Sequence, residues 1–222
     1  MTSAEEVGLT VRAVIWDFGG VFTSSPFVAF ARYEAEHGLP KDFIRGVNAT
    51  DPDTNAWAKL ERSEIDAETF DVLFAAESTR LGYTVGGRDV LALLAGEVRS
   101  VMVSALMICR EKLKCACITN NAKVGQGPGM TFDQKKSKEV SKIIDLFDLV
   151  IESSKVGYRK PDPEIYRIAC RKLGIEPSEA VYLDDLGINL KPARAMGMKT
   201  IKVTDPDAAL RELEAAVGFS LE

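Results

Sequence analysis

The chain has 222 residues, 46% hydrophobic and 27% charged, which excludes wholesale disorder and suits one domain carrying an insertion. A net charge of −5 argues against non-specific nucleic-acid binding, and no apolar run approaches the ~18–20 residues of a spanning helix. With His37 the only histidine, Ser-His-Asp catalysis, Cys-His catalysis and multi-histidine metal sites are all but ruled out.

The start, Met1-Thr2-Ser3-Ala4-Glu5-Glu6, is acidic and lacks the basic opening and apolar centre of a signal peptide, so a cytoplasmic location is expected. Ala13–Trp16 reads as a first strand, ending at Asp17-Phe18-Gly19-Gly20-Val21. From Pro26 to Ser100 the spacing predicts helices over Phe27–His37, Thr54–Arg62 and Ala67–Leu81, but no strand. Gly86-Gly87 and a helix over Val90–Val98 would return the chain to the sheet. The block far exceeds a crossover of about 10–15 residues, so it reads as an inserted helical cap. Residues 26–100 are the expected cap, with 1–25 and 101–222 forming the core.

Four further strands are expected, at Ala116–Ile118, Leu149–Ile151, Ala180–Leu183 and Thr200–Val203. They are short, β-branched and largely without polar alternation, as in parallel strands buried on both faces. Helical spacing separates them, which predicts an α/β fold: a Rossmann-like, doubly wound parallel sheet. Gly125–Gly129 reads as a loop, and without a following Gly-Lys-Ser/Thr it is not a P-loop. Lys135–Lys138 reads as a solvated helix start. Cys109, Cys115, Cys117 and Cys170 form no CxxC pair and no zinc spacing, so reduced thiols are expected, with Cys115 and Cys117 on one strand face in the core.

Ligands in such sheets bind beyond the carboxyl ends of the strands. Those ends carry Asp17, then Thr119-Asn120-Asn121, then Lys155–Pro163 with Lys160, then Asp184-Asp185. Each has a structural explanation alone: a turn residue at Asp17, a helix N-cap at Asp184-Asp185, a helix start at Lys160-Pro161. Together they gather carboxylates at one sheet edge, where repulsion destabilises the fold unless a cation is present. An oxygen-seeking ion such as Mg²⁺ resolves this and admits an anionic substrate beside Lys160. Phosphoryl chemistry is the expectation.

These motifs, together with Val156-Gly157-Tyr158-Arg159-Lys160-Pro161-Asp162-Pro163-Glu164-Ile165-Tyr166 and Leu183-Asp184-Asp185-Leu186-Gly187-Ile188-Asn189-Leu190-Lys191-Pro192-Ala193-Arg194, carry a resemblance. The chain resembles the haloacid dehalogenase-like hydrolase superfamily, and within it the phosphatase-like N-terminal domain of soluble epoxide hydrolases. The Gly-Gly form of the first motif is also similar to domains fused to some acyl-CoA dehydrogenase-like proteins. The resemblance implies Asp17 as a nucleophile that becomes aspartyl-phosphate. It implies Thr119 and the Asn120 backbone as holders of the phosphoryl oxygens, and Lys160 as their counter-charge. Mg²⁺ would be bound by Asp17, the Gly19 carbonyl and Asp185, with Asp184 supporting the ion or its water, and Asn189 would orient the acidic loop from behind.

One position departs from the family pattern. Most phosphatases of this family place a second aspartate two residues after the nucleophile, as general acid and base, and here that residue is Gly19. The backbone carbonyl survives and the proton donor does not, so a slower phosphatase is expected. Two other readings remain open. One is a non-catalytic protein that binds a phosphorylated ligand or a partner; the other is a 2-haloacid dehalogenase, whose halide leaves without a proton. His37, on an expected cap helix, reads as a surface residue or a stand-in acid. Trp57 and Phe70 read as cap core, and Trp16 as packing. The expected partner is a small phosphorylated substrate, with no nucleic acid or membrane, and the protein a monomer or homodimer.

Overall fold

The computed structural model describes residues 11–94, 96–121 and 134–221. Five strands, β1 (Ala13–Trp16), β2 (Lys114–Thr119), β3 (Leu149–Glu152), β4 (Ala180–Asp184) and β5 (Lys199–Lys202), form one sheet in the order β3-β2-β1-β4-β5. All four pairings are parallel. The expected doubly wound sheet is therefore present, with β1 central and the switch in strand order beside it. Register places Trp16 opposite both Cys117 and Leu183, so Asp17 emerges level with the end of β4. Its N–H bonds the Leu183 carbonyl at 2.8 Å, extending the ladder by one residue.

The strands lack polar alternation because helices cover both faces. Val14 and Trp16 point into one cluster with Met102 and Leu106 of α6 (Ser100–Cys109), Val140 and Ile143 of α7 (Gln134–Ile144), and Leu213 of α11 (Pro206–Val217). Cys115 and Cys117 lie in that cluster too, so both are core. Ala13 and Ile15 point the other way, against α9 (Pro163–Leu173) and α10 (Gly187–Ala195). A short helix, α8 (Ser153–Val156), follows β3 directly. The expected loop at Gly125–Gly129 lies outside the described residues. No described helix is long and apolar enough to cross a membrane.

Between β1 and α6, the described residues form five helices: α1 (Pro26–Glu36), α2 (Phe43–Ala49), α3 (Ala56–Glu61), α4 (Ala67–Arg80) and α5 (Gly87–Ala92). They enclose an apolar cluster of their own, with Phe30, Ile44, Leu60, Phe70, Phe74 and Val90. Trp57 packs edge-on against Phe70 with ring centroids 5.7 Å apart, as expected for cap core. Asn55 and Asp66 cap α3 and α4 by accepting from Ala58 N and Thr69 N. Gly87 lets α5 approach α4, since a Cβ there would sit 2.7 Å from Asp71 Cα.

Two elements differ from the sequence reading. Helix α2 shows no pattern of its own, being only seven residues long. Its start is fixed from outside, by the buried Glu34 carboxylate accepting from Asp42 N and Ile44 N at 2.9 Å. The helix expected over Val90–Val98 stops at Ala92, and Val98 instead forms an antiparallel bridge with Thr23. Bonds from Ser24 N to Glu97 O and from Arg99 N to Phe22 O, both 2.8 Å, extend that pairing. Backbone pairing across the two connecting segments has overridden the local helical pattern.

Candidate active site

The four strand-end motifs meet at one edge of the sheet. Lys160, only 2% exposed, places Nζ 2.7 Å from Asp17 Oδ1 and 2.9 Å from Asp184 Oδ2. Asp17 Oδ1 also accepts the Phe18 N–H at 2.6 Å, while among the described residues no donor reaches Oδ2. One carboxylate oxygen of Asp17 is thus anchored and the other is open. Carboxylate oxygens of Asp17, Asp184 and Asp185 lie within 4.8 Å of one another.

Asp184 and Asp185 are chemically distinct despite being neighbours. Asp184 is fully buried and accepts from Lys160 Nζ, the Tyr182 hydroxyl, Asn189 Nδ2 (3.0 Å) and Leu186 N (2.8 Å). With both oxygens engaged by protein donors, its main task is to position Lys160. Asp185 is half-buried, and its one bond among the described residues is a long contact from Ser25 Oγ at 3.5 Å. Asn189 braces Asp184 from behind, and its own carbonyl accepts from the Tyr166 hydroxyl at 2.8 Å.

Thr119 ends β2, buried beside this cluster. The Asn120 side chain is committed elsewhere: Nδ2 donates to Lys160 O at 2.9 Å and Oδ1 accepts from Lys160 N at 2.7 Å. That clamp sets the backbone from which the lysine projects and leaves only the main chain of Asn120 to face a ligand. Asn121, with Nδ2 on Glu152 Oε2 at 2.7 Å, ties the same turn to β3.

Burial pushes the Asp17 carboxyl well up, against the pull of Lys160, with Asp184 and Asp185 adding to the rise. Asp185 is raised to about 6, by burial first and Asp184 second. Burial and the neighbouring carboxylates thus work against ionisation of Asp17 and Asp185. The donor set is all oxygen, which suits a hard divalent cation such as Mg²⁺. The residues present fit that ion.

The inserted helices touch this edge at one seam. Glu61, the buried last residue of α3, sits 2.6 Å from Arg159 Nε and 3.5 Å from Asn120 Nδ2. Burial raises its carboxyl, with Arg159 opposing. Arg159 Nη1 also donates to Pro52 O at 2.8 Å, and Ser153 Oγ donates to Glu61 O at 2.8 Å. No sequence motif marks Glu61; only its apposition to Asn120 does. His37 is not at the site. It is exposed beyond α1, stacked on Tyr33 with Nδ1 2.9 Å from the Tyr33 carbonyl. Gly19 is exposed at the rim, and Gly20 adopts φ +77 where the Asp185 carboxylate leaves no room for a Cβ.

A parallel sheet of this order with a buried Asp–Lys–Asp cluster at its carboxyl edge is a Rossmann-like α/β core with an acidic site at the switch in strand order. The profile of haloacid dehalogenase-like hydrolases matches residues 11–197, and the chain belongs to that family. It is 36% identical over 226 residues to acyl-CoA dehydrogenase family member 10 of Mus musculus, covering 96% of this chain and 20% of the relative. It is 31% identical over 224 residues to bifunctional epoxide hydrolase 2 of Sus scrofa, covering 96% of this chain and 40% of the relative. The chain therefore spans between a fifth and two fifths of these curated relatives. A haloacid dehalogenase-family enzyme from Bacteroides thetaiotaomicron, solved with magnesium and inorganic phosphate, superposes with a TM-score of 0.57 at 19% identity, over 86% of this chain and 93% of that one. Other homologues include phosphatases, and other structural neighbours include dehalogenases.

Proposed function

We propose that the chain is a Mg²⁺-dependent phosphatase that hydrolyses a small phosphate monoester through an aspartyl-phosphate on Asp17. The observation that carries this reading is the asymmetric Asp17 carboxylate. Lys160 and the Phe18 N–H hold one oxygen at 2.7 and 2.6 Å, and among the described residues no donor holds the other, in a carboxylate that lies within 4.8 Å of Asp184 and Asp185. In this reading Asp17 attacks phosphorus and the ester oxygen departs, taking its proton from solvent at the exposed Gly19. Lys160 neutralises the developing charge, kept in place by Asp184 and by the Asn120 clamp. Thr119 and the Asn120 N–H hold the phosphoryl oxygens. Water then cleaves the acyl phosphate and restores the carboxylate. Asp17, Asp185 and the Gly19 carbonyl would hold Mg²⁺, with Asp184 supporting it; the ion supplies charge stabilisation to the transferring phosphoryl group. Residues 26–100 act as a cap over the core formed by 1–25 and 101–222, and select the alcohol.

Phosphatases among the homologues, and a structural neighbour solved with magnesium and phosphate, support this reading. A dehalogenase has no use for a divalent ion, and Asp185 then lies unneutralised beside Asp184. Gly19 favours one second reading, a non-catalytic phospholigand-binding protein, because the usual proton donor is missing. Phosphate release from an aryl phosphate and a metabolite panel, with and without Mg²⁺, separates them. Mg²⁺-dependent turnover that Asp17→Asn abolishes is expected; phosphate binding without turnover overturns the catalytic reading.

A further inference from the structure

The site's metal-facing loop is held by two residues that belong to neither of the acidic motifs. Gly20 N–H donates to Thr23 Oγ1 at 3.4 Å, and Arg99 Nη1 donates to the Gly20 carbonyl at 2.8 Å. Thr23 is buried, and among the described residues no carboxylate lies within ion-pair distance of Arg99. Arg99 lies 79 residues further along the chain, and its backbone N–H is fixed on the Phe22 carbonyl at 2.8 Å. Its guanidinium is thus delivered to the loop from the returning connection, with its own main chain already anchored beside Thr23.

A trans peptide directs its C=O and N–H to opposite sides. Holding the Gly20 N–H on Thr23 therefore sets the plane of the Gly19–Gly20 peptide and the direction of the Gly19 carbonyl. Among the described residues no donor reaches that carbonyl, so it stays free to bind a ligand. Holding the Gly20 carbonyl on Arg99 fixes the next peptide. Gly20 has the left-handed φ of +77 and no side chain to lock it. The next peptide is also tied by Val21 N–H to the Phe18 carbonyl at 3.3 Å, so Arg99 reinforces that plane, while the Gly19–Gly20 plane depends on Thr23.

We infer that Arg99 and Thr23 are positioning residues that aim the Gly19 carbonyl for Mg²⁺, an inference resting on the metal site proposed above. Thr23 is itself the bridge partner of Val98, and Arg99 N–H extends that pairing to Phe22, so carbonyl aim and the pairing of the connecting segments share one clamp.

The test is Mg²⁺ binding by calorimetry and by thermal shift, on the full chain without substrate. Wild type is compared with Thr23→Val, Arg99→Ala, Arg99→Lys and Ser24→Ala. Ser24 Oγ bonds Glu97 N at 3.0 Å and leaves the Gly20 peptide alone, so it controls for the connection itself. Residues that orient a ligand typically cost about 10–100-fold in metal affinity when lost. Arg99→Ala and Thr23→Val are expected to weaken Mg²⁺ binding by about tenfold or more on that scale, Arg99→Lys less, and Ser24→Ala not at all. A wild type that binds Mg²⁺, with Arg99→Ala and Thr23→Val binding it equally well, overturns this inference and spares the metal site. A wild type indifferent to Mg²⁺ overturns both. Should Arg99→Ala fail to fold, Thr23→Val and Arg99→Lys decide the question in the same way.

Discussion

Among the described residues, a Cβ built on Gly19 meets no atom within 4 Å, and its backbone lies outside the left-handed region, so a side chain fits where the proton donor is missing. Gly19→Asp is expected to speed hydrolysis of an alkyl phosphate by up to ~10²–10⁴-fold, because a poor leaving group needs the proton. A nitrophenyl phosphate should gain little. Steady-state rates on both substrates check this, and equal gains would place the limiting step at hydrolysis of the phospho-enzyme. Asp185 gives a pH prediction. Its carboxyl is raised to about 6, so its contribution to stability is full below an unfolded value of about 3.9 and is lost as pH rises through about 6. In chelator, the melting temperature of wild type relative to Asp185→Asn should therefore fall between about pH 4 and pH 7. A difference that stays flat contradicts the raised carboxyl. Asp17, Thr119 and Asp184-Asp185 were legible in the sequence because each ends or directly follows an apolar strand, and Lys160, beyond β3 and α8, because Lys160-Pro161 marks the approach to α9. The Asn120 clamp, the Tyr182 contact to Asp184 and the reach of Arg99 were not, since they depend on distances that only folding creates.

At the scale of elements, α3 meets the core through one polar seam, the Glu61–Arg159 pair with Ser153 and Asn120 around it. Removing Arg159 leaves a buried carboxylate without its counter-ion. Arg159→Ala should cost about 1–3 kcal/mol and quicken hydrogen exchange across α3, as read by exchange mass spectrometry. Unchanged exchange there would mean that the Ser153 hydroxyl on the Glu61 carbonyl, with Asn120 on its carboxylate, holds the seam without Arg159. The long helices α1 and α4 follow their sequence patterns because burial on one side imposes a period, and the strands because burial on both faces makes them apolar without alternation. Helix α2 and the chain after Ala92 do not, since Glu34 and the Thr23–Val98 bridge act from outside the segment.

For the molecule as a whole, a ligand that binds only the folded state raises stability by about 2.7 kcal/mol at a hundred times its Kd. Millimolar Mg²⁺ should thus raise the melting temperature, and Asp185→Asn should remove most of that rise. A scanning-calorimetry trace unmoved by the ion would count heavily against a convergent site.

The Thr23–Val98 bridge bears on how such a chain diversifies. Antiparallel partners stand only about 4.5–5.5 Å apart at Cα, so the inserted helices leave and rejoin the sheet through a single doorway. No strand pairing depends on what lies between. Those helices carry a separate apolar cluster, so they need little from the sheet to hold their shape. The arrangement resembles a socket and a plug: the sheet edge that carries Asp17 and Lys160 is built by the strands, and the inserted helices pack around an apolar cluster of their own. If those helices select the substrate, as proposed above, substitutions away from Glu61 and the Thr23–Val98 doorway should change what is admitted and leave the strand pairings intact.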